Sequence, residues 1–201
     1  MAIDRRSFTA GLAALGFAGF LPAAGYCRGA KGYVTCGRDA LSGHYFVARL
    51  SADYEIEWEL PLPARGHDVV LSPTAGEGVA MARRPGAFAI VFDTQPGTLR
   101  RRIDAAPGRL IYGHGAYSAD GRNFWMTENA YDEPAGVIGV YDVAAGYRRI
   151  GEMPSGGLGP HEVILTADGE TLCVANGGIR THPDTGRKKL NLDDLHPTLA
   201  Y

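Results

Sequence analysis

The chain has little of what most function classes require. It carries no basic surplus: its formal net charge is -2, whereas a nucleic-acid binder normally concentrates excess Lys and Arg on one face. Its three cysteines, Cys27, Cys36 and Cys173, never stand at Cys-x-x-Cys spacing. That removes the common paired-cysteine metal motifs and, with no Cys-x-x-Cys-His, covalent haem attachment. No Gly-x-Ser-x-Gly elbow, phosphate-cradling Gly loop followed by Lys, or His-Glu-x-x-His is present. Hydrolase, nucleotidase and metalloprotease readings therefore have no motif behind them. No apolar run reaches the roughly 20 residues of a spanning helix. The mild run Ala10 to Ala24 is shorter and holds Pro22 near its end.

What the chain has in abundance is glycine, 28 residues, together with 12 prolines. With ordinary hydrophobic content this implies an all-β chain of short strands joined by many turns. The N-terminus stands apart. Arg5 and Arg6 precede Ser7 and Phe8, then the apolar run, then small residues at Ala23, Ala24 and Gly25. A charged start, an apolar middle and a small-residue end make a cleavable export signal over residues 1–25. Arg5, Arg6 and Phe8 resemble the twin-arginine export motif, with Asp4 where Ser or Thr is usual. The expected location is therefore the periplasm, reached through the twin-arginine machinery, with no stable membrane insertion after cleavage. That route carries folded proteins, so a cofactor is permitted and not required. Tyr26 before Cys27 argues against lipidation. In an oxidising compartment Cys27 and Cys36 are close enough in sequence to pair, while Cys173 reads as a buried strand residue.

The strongest internal signal is periodic. His67, His114 and His161 stand 47 residues apart, each before a short apolar strand and a turn at Ser72-Pro73, Ala119-Asp120-Gly121 or Ala167-Asp168-Gly169. A fixed period near this length marks propeller blades. Second strands follow at Gly78 to Ala82, Asn123 to Thr127 and Thr171 to Ala175. Third strands end at Asp93 and Asp142, and charged fourth strands run Leu99 to Ile103 and Tyr147 to Met153. Charged outer strands protect a sheet edge. The expected fold is an all-β propeller of four-stranded blades over residues 26–201, with blades near 30–61, 62–108, 109–155 and 156–201. Propellers close with about 4 to 8 blades. The chain therefore reads as a truncated propeller of three to four blades, whose open edges predict aggregation or oligomerisation.

The His-x-Val/Ile-x-Leu-Ser/Thr-x-Asp-Gly pattern resembles bacterial YVTN/lactonase-type propellers. The tighter resemblance is to twin-arginine-exported propellers of the domain of unknown function 1513 family. It rests on Arg5, Arg6 and Phe8, Gly113-His114, Gly159-Pro160-His161-Glu162, Asn176-Gly177-Gly178-Ile179, Thr181-His182-Pro183 and Gly186 to Leu192. It implies a single propeller of about seven blades, of which this chain is the N-terminal portion. It also implies partners among periplasmic iron-uptake proteins, because members tend to be encoded near iron-acquisition genes. No catalytic residue carries over.

Two sets of residues are candidates for chemistry. His67, His114 and His161, just before the innermost strands, would ring one mouth of the channel. Converging imidazoles are good transition-metal ligands. Glu162, Glu128, Asn129 and Asn176 are placed to add polar groups at that end. The competing reading is that each imidazole is structural and bonds to strands of its own blade, as in WD-type repeats. The second set is the long polar loop Gly177 to Asn191, with Arg180, His182, Asp184 and Arg187, read either as a ligand loop or as an ordered surface loop. Arg83-Arg84 and Arg100-Arg101-Arg102 read as solvated edges or turns. The expected function is a periplasmic binding or scaffold module linked to iron or metal handling. The alternatives are a lactonase-like hydrolase or metal-dependent oxidoreductase on the His ring, and a gene fragment without function.

Overall fold

A computed structural model describes residues 32–201. The export motif at Arg5, Arg6 and Phe8, and Cys27 with its pairing to Cys36, lie outside the described residues. The rest folds into four antiparallel sheets, each a simple meander. The first holds β1 (Gly32–Arg38), β2 (Tyr45–Ser51) and β3 (Ile56–Leu62). The second holds β4 (Gly66–Leu71), β5 (Glu77–Ala82), β6 (Phe88–Asp93) and β7 (Leu99–Asp104). The third holds β8 (Arg109–Tyr117), β9 (Asn123–Ala130), β10 (Ala135–Asp142) and β11 (Arg148–Pro154). The fourth holds β12 (Pro160–Leu165), β13 (Leu172–Asn176) and β14 (Thr198–Ala200). Strand β8 packs against both β4 and β12, so the first strands of successive blades stand side by side. This is the all-β propeller arrangement that the period implied, with four strands in each of the second and third blades and three described strands in each of the first and fourth.

Residue chemistry sorts the strands by depth. Every residue of β5 is buried, and five of the six in β6. A strand covered on both faces by neighbouring blades reads as a continuous apolar run instead of alternating. Outer strands are wet: in β7 only Ile103 is buried. Arg100 there pairs with Glu77 at 2.9 Å and Asp93 at 2.5 Å. Its charges are thus tied to the second and third strands of the same blade, and Arg101 donates to the Gly146 carbonyl of the next blade.

Three apolar seams join the blades. Val47 and Leu62 meet Ala80, Phe88 and Phe92 between the first two. Val79, Met81 and Val91 meet Ile111, Phe124, Met126 and Tyr141 between the second and third. Ala116 and Ile138 meet Val163 and Val174 between the third and fourth. Burying each such large side chain contributes roughly 1.5–3 kcal/mol, so the seams hold the blades in fixed orientation. A polar stitch crosses the second seam. The Tyr147 hydroxyl donates to Glu77 Oε1 at 2.6 Å and lies 2.6 Å from the Tyr117 hydroxyl.

The tight turns use the expected residues. In the β8–β9 turn Asp120 Oδ1 accepts from Ser118 Oγ at 2.6 Å and the Arg122 amide at 3.0 Å. Gly121 there takes φ +71° against Thr74 of the neighbouring blade, a conformation that glycine adopts without strain. Among the described residues Cys36 has no disulfide partner, and burial with the nearby Asp68 charge pushes its thiol pKa up to about 12. Cys173 is half-buried and not the fully buried strand residue expected.

Candidate functional site

Each of the three repeated histidines sits where the first strand of its blade slips out of register. Gly66 pairs with Ala82 and Asp68 with Met81, leaving His67 as the extra residue. Pro160 pairs with Asn176 and Glu162 with Ala175, leaving His161 as the extra residue. In the middle blade the slip is wider, from Ile111 to Gly115, and His114 closes it. Thr127 clasps that bulge: its Oγ1 accepts from the His114 amide at 3.2 Å and donates to the His114 carbonyl at 3.0 Å. A bulge re-aims the side chain it carries. Here the same device, used once per blade, aims three imidazoles at one another.

The result is a compact cluster. Ring centroids lie 4.7 Å apart for His67–His114, 5.0 Å for His114–His161 and 5.9 Å for His67–His161. One nitrogen from each ring lies within 4.8 Å of the others. Among the described residues no imidazole of the three hydrogen-bonds to a strand of its own blade, and both ring nitrogens of His114 are buried without a hydrogen-bond partner. Gly113 lets the rings come this close: it takes φ +112°, and a Cβ there would meet His67 at 2.6 Å.

Two carboxylates flank His114 symmetrically. Asp68 Oδ1 accepts from the Val69 amide at 2.8 Å, and Oδ2 lies 3.4 Å from His114 Nδ1. Glu162 Oε1 accepts from the Val163 amide at 3.0 Å, and Oε2 lies 3.2 Å from the same nitrogen. Each acid is pinned by its own strand and turns its free oxygen toward the middle ring. The approach is a charge contact, since the angles at Nδ1 are not those of a hydrogen bond. Burial disfavours a charged His114, but the Asp68 and Glu162 carboxylates outweigh it and hold its pKa up at about 9. Burial, then the charge of His114, pull His67 down to about 4 and His161 below its usual range. Asp68 and Glu162 also line an open groove of about 400 Å³ along β4, β8 and β12, with Val70, Ala116 and Ile164.

The other sequence candidates do other work. Glu128, 1% exposed, accepts from the Tyr141 hydroxyl at 2.6 Å and from Arg149 at 2.8 Å. It therefore faces the outer strands of its own sheet and not the cluster. The Asn129 amide donates to the Thr181 carbonyl at 3.3 Å, anchoring the long loop. The Asn176 amide donates to the Ser155 carbonyl at 2.8 Å, and its carbonyl accepts from the Ser155 hydroxyl at 2.6 Å. In the loop, His182 packs edge-on to Tyr131, and its Nδ1 accepts from the Asp184 amide at 3.3 Å. Asp184 and Arg180 are exposed. Arg187 alone of the four lines a cleft, with Arg84 and Lys189. Arg84 is half-buried over the Tyr112 ring, 5.1 Å from its centroid, and is not the solvated turn residue that sequence implied.

Asp68 is the residue that sequence reasoning passed over. Its signal was available: it follows His67 as Glu162 follows His161, two repeats on.

Residues 60–201 match the model of the family described as protein of unknown function (DUF1513). The chain belongs to that family. No curated protein matches it. Among solved structures it is similar to "Dihydro-heme d1 dehydrogenase NirN in complex with DHE", at 15% identity and a TM-score of 0.46, over 60% of this chain and 27% of that one. This chain thus spans about a quarter of that protein's length.

Proposed function

We propose that this member of the family is an exported, periplasmic binding module whose His67, His114 and His161 hold a transition-metal ion. The observation that carries the reading is the convergence of three imidazoles from three equivalent bulges, with ring nitrogens within 4.8 Å and no hydrogen bonds to their own blades. A structural role of the WD type would use those nitrogens within the blade. Imidazole suits zinc, copper and iron. At metal–nitrogen distances of about 2.0–2.1 Å, ligand nitrogens stand roughly 3.0–3.4 Å apart, so small rotamer changes close the triad on an ion. Asp68 and Glu162 would orient the middle ring and offer carboxylate oxygen. Export through the twin-arginine route, read from Arg5, Arg6 and Phe8, and partners among periplasmic iron-uptake proteins complete the proposal. The open groove beside the triad favours a metal-dependent oxidoreductase as the second reading, because it gives a substrate access to the ion.

The test is elemental analysis and calorimetric titration with Zn²⁺, Cu²⁺ and Fe²⁺ of the exported chain and of a His67/His114/His161 triple Ala variant. The expected result is near one metal per chain, lost in a variant whose circular dichroism and melt are unchanged. Equal metal content in both proteins, or none in either, overturns the proposal.

A further inference from the structure

Beside the triad, the same end of the blades gathers positive charge that no carboxylate among the described residues pairs. Arg83 and Arg84 sit in the turn between β5 and β6, Arg65 precedes β4, and the long loop brings Arg187 and Lys189 to them. Loss of solvation, then the charges of Arg187, Arg65 and Arg84, lower the pKa of Arg83, so the guanidiniums lie close enough to repel. Among the described residues none of these five side chains makes an ion pair. Arg100, Arg109 and Arg149, by contrast, each meet a carboxylate within 3 Å. What marks this cleft is that several unpaired cations are gathered in one place.

The cleft is also built, in the sense that its walls are fixed by hydrogen bonds, two of them buried. The Tyr112 hydroxyl donates to the Ile179 carbonyl at 3.2 Å and lies 3.4 Å from Thr181 Oγ1, while Arg84 rests on the Tyr112 ring. Asn191 locks the loop's two arms together. Its Oδ1 accepts from the Arg180 amide at 2.7 Å, and its Nδ2 donates to the Gly178 carbonyl at 2.8 Å. The Asn129 side chain holds the Thr181 carbonyl from the third blade. Between Arg84, Ile179, Thr181, Arg187 and Lys189 lies a cavity of about 50 Å³. That is room for one small tetrahedral oxyanion, flanked by two guanidiniums and an ammonium. Guanidinium forks match phosphate oxygens bidentately, and a dianion there would remove the mutual repulsion of the arginines.

We infer that the cleft formed by Arg84, Arg187 and Lys189 is a second binding site, selective for a phosphate-class oxyanion. It does not depend on metal at the triad. The anion comes either as free phosphate or as the phosphoryl group of a lipid headgroup.

The test is calorimetric titration of inorganic phosphate into the full exported chain at fixed ionic strength, with an Arg187→Gln/Lys189→Gln variant beside it. Both substituted residues are exposed, so folding is not at stake; Arg84→Gln is the second variant, checked by its melt. We expect saturable one-to-one binding, weakened at least tenfold in each variant and retained in the triple His variant. Flotation with phosphatidylglycerol vesicles identifies the source. Vesicle binding that free phosphate competes away and that Arg187→Gln/Lys189→Gln abolishes assigns a headgroup, and saturable phosphate binding without flotation assigns the free anion. No phosphate binding at millimolar concentration, or equal binding in wild type and variants, overturns the inference. Phosphate lost only in the arginine and lysine variants, and metal only in the histidine variant, would show that each site stands or falls alone.

Discussion

Replacing Arg149 with Met isolates the energetics of Glu128, the most deeply buried carboxylate among the described residues. Glu128 is 1% exposed and takes two partners, the Tyr141 hydroxyl at 2.6 Å and Arg149 at 2.8 Å. It also lies over the backbone of Gly139, where a Cβ would stand 2.0 Å from its Oε1. It therefore has little room to swing out to water. Removing the arginine leaves a desolvated charge with a single hydrogen bond, a change that costs about 3–5 kcal/mol. Tyr141→Phe removes one hydrogen bond to a charged acceptor and costs about 1.5–3 kcal/mol. The decisive comparison is with the double variant Glu128→Gln/Arg149→Met. The amide still accepts from Tyr141, and no charge is left stranded, so stability recovers by about 2 kcal/mol relative to Arg149→Met alone. Urea melts followed by circular dichroism, with the m-value held constant, measure all three. An Arg149→Met loss below about 1 kcal/mol, or simple additivity in the double variant, refutes a structural pair. A fall in metal affinity with unchanged stability in Glu128→Gln would return Glu128 to the channel.

Three further outcomes follow from the same geometry. Asp68→Asn and Glu162→Gln each remove a carboxylate that orients His114, and titration with Zn²⁺ should show affinity falling by about 10- to 100-fold; unchanged affinity in both would detach the acids from the site. Gly113→Ala places a Cβ 2.6 Å from His67 at φ +112°, so a thermal melt should drop by an amount equivalent to about 1–3 kcal/mol, and metal binding should weaken with it. Glu152 is held down at about 2, first by its hydrogen bond from Arg109 and then, against burial, by Arg149. A depressed carboxylate contributes stability that is present above its unfolded range near 4.5 and is lost as pH falls through about 2. With solvent screening at this partly open site the contribution is about 1 kcal/mol, so the stability gap between wild type and Glu152→Gln, measured from about pH 6 to about pH 2, should close on acidification; a gap that widens contradicts the assignment.

The propeller was legible because its determinants are local and repeated. The 47-residue interval of His67, His114 and His161 is a property of the chain, and so are the Asp-Gly turns and the Arg-rich fourth strands. The run Ala89 to Phe92 could be placed as an interior strand because burial on both faces leaves no polar alternation to confuse it with an edge. Side-chain direction was not legible to the same degree. Glu128 lies one residue after Thr127, which clasps the His114 bulge, yet in a strand successive side chains point to opposite faces. That single step sends the carboxylate toward Tyr141 and Arg149 instead of the cluster.

The bulges explain why the histidines were ambiguous in sequence and are not in space. A Gly-His pair before a strand is equally consistent with an imidazole bonded inside its blade and with one aimed across the axis. The difference is a slip of register at His67, at His114 and at His161, which leaves no trace in residue order. Once the slip exists, the flanking chemistry becomes coherent. Asp68 and Glu162, each one residue beyond a bulge and each pinned to the next amide, converge on the ring between them. The middle blade has Gly115 at the equivalent place. A third acid there would add a negative charge with no further imidazole to meet it among the described residues, whereas glycine leaves space under Met81 and Phe124 for the wider bulge. The asymmetry of the repeat at that position is thus what makes His114 the hub of the cluster, and replacing Gly115 should disturb the triad as much as replacing a ligand.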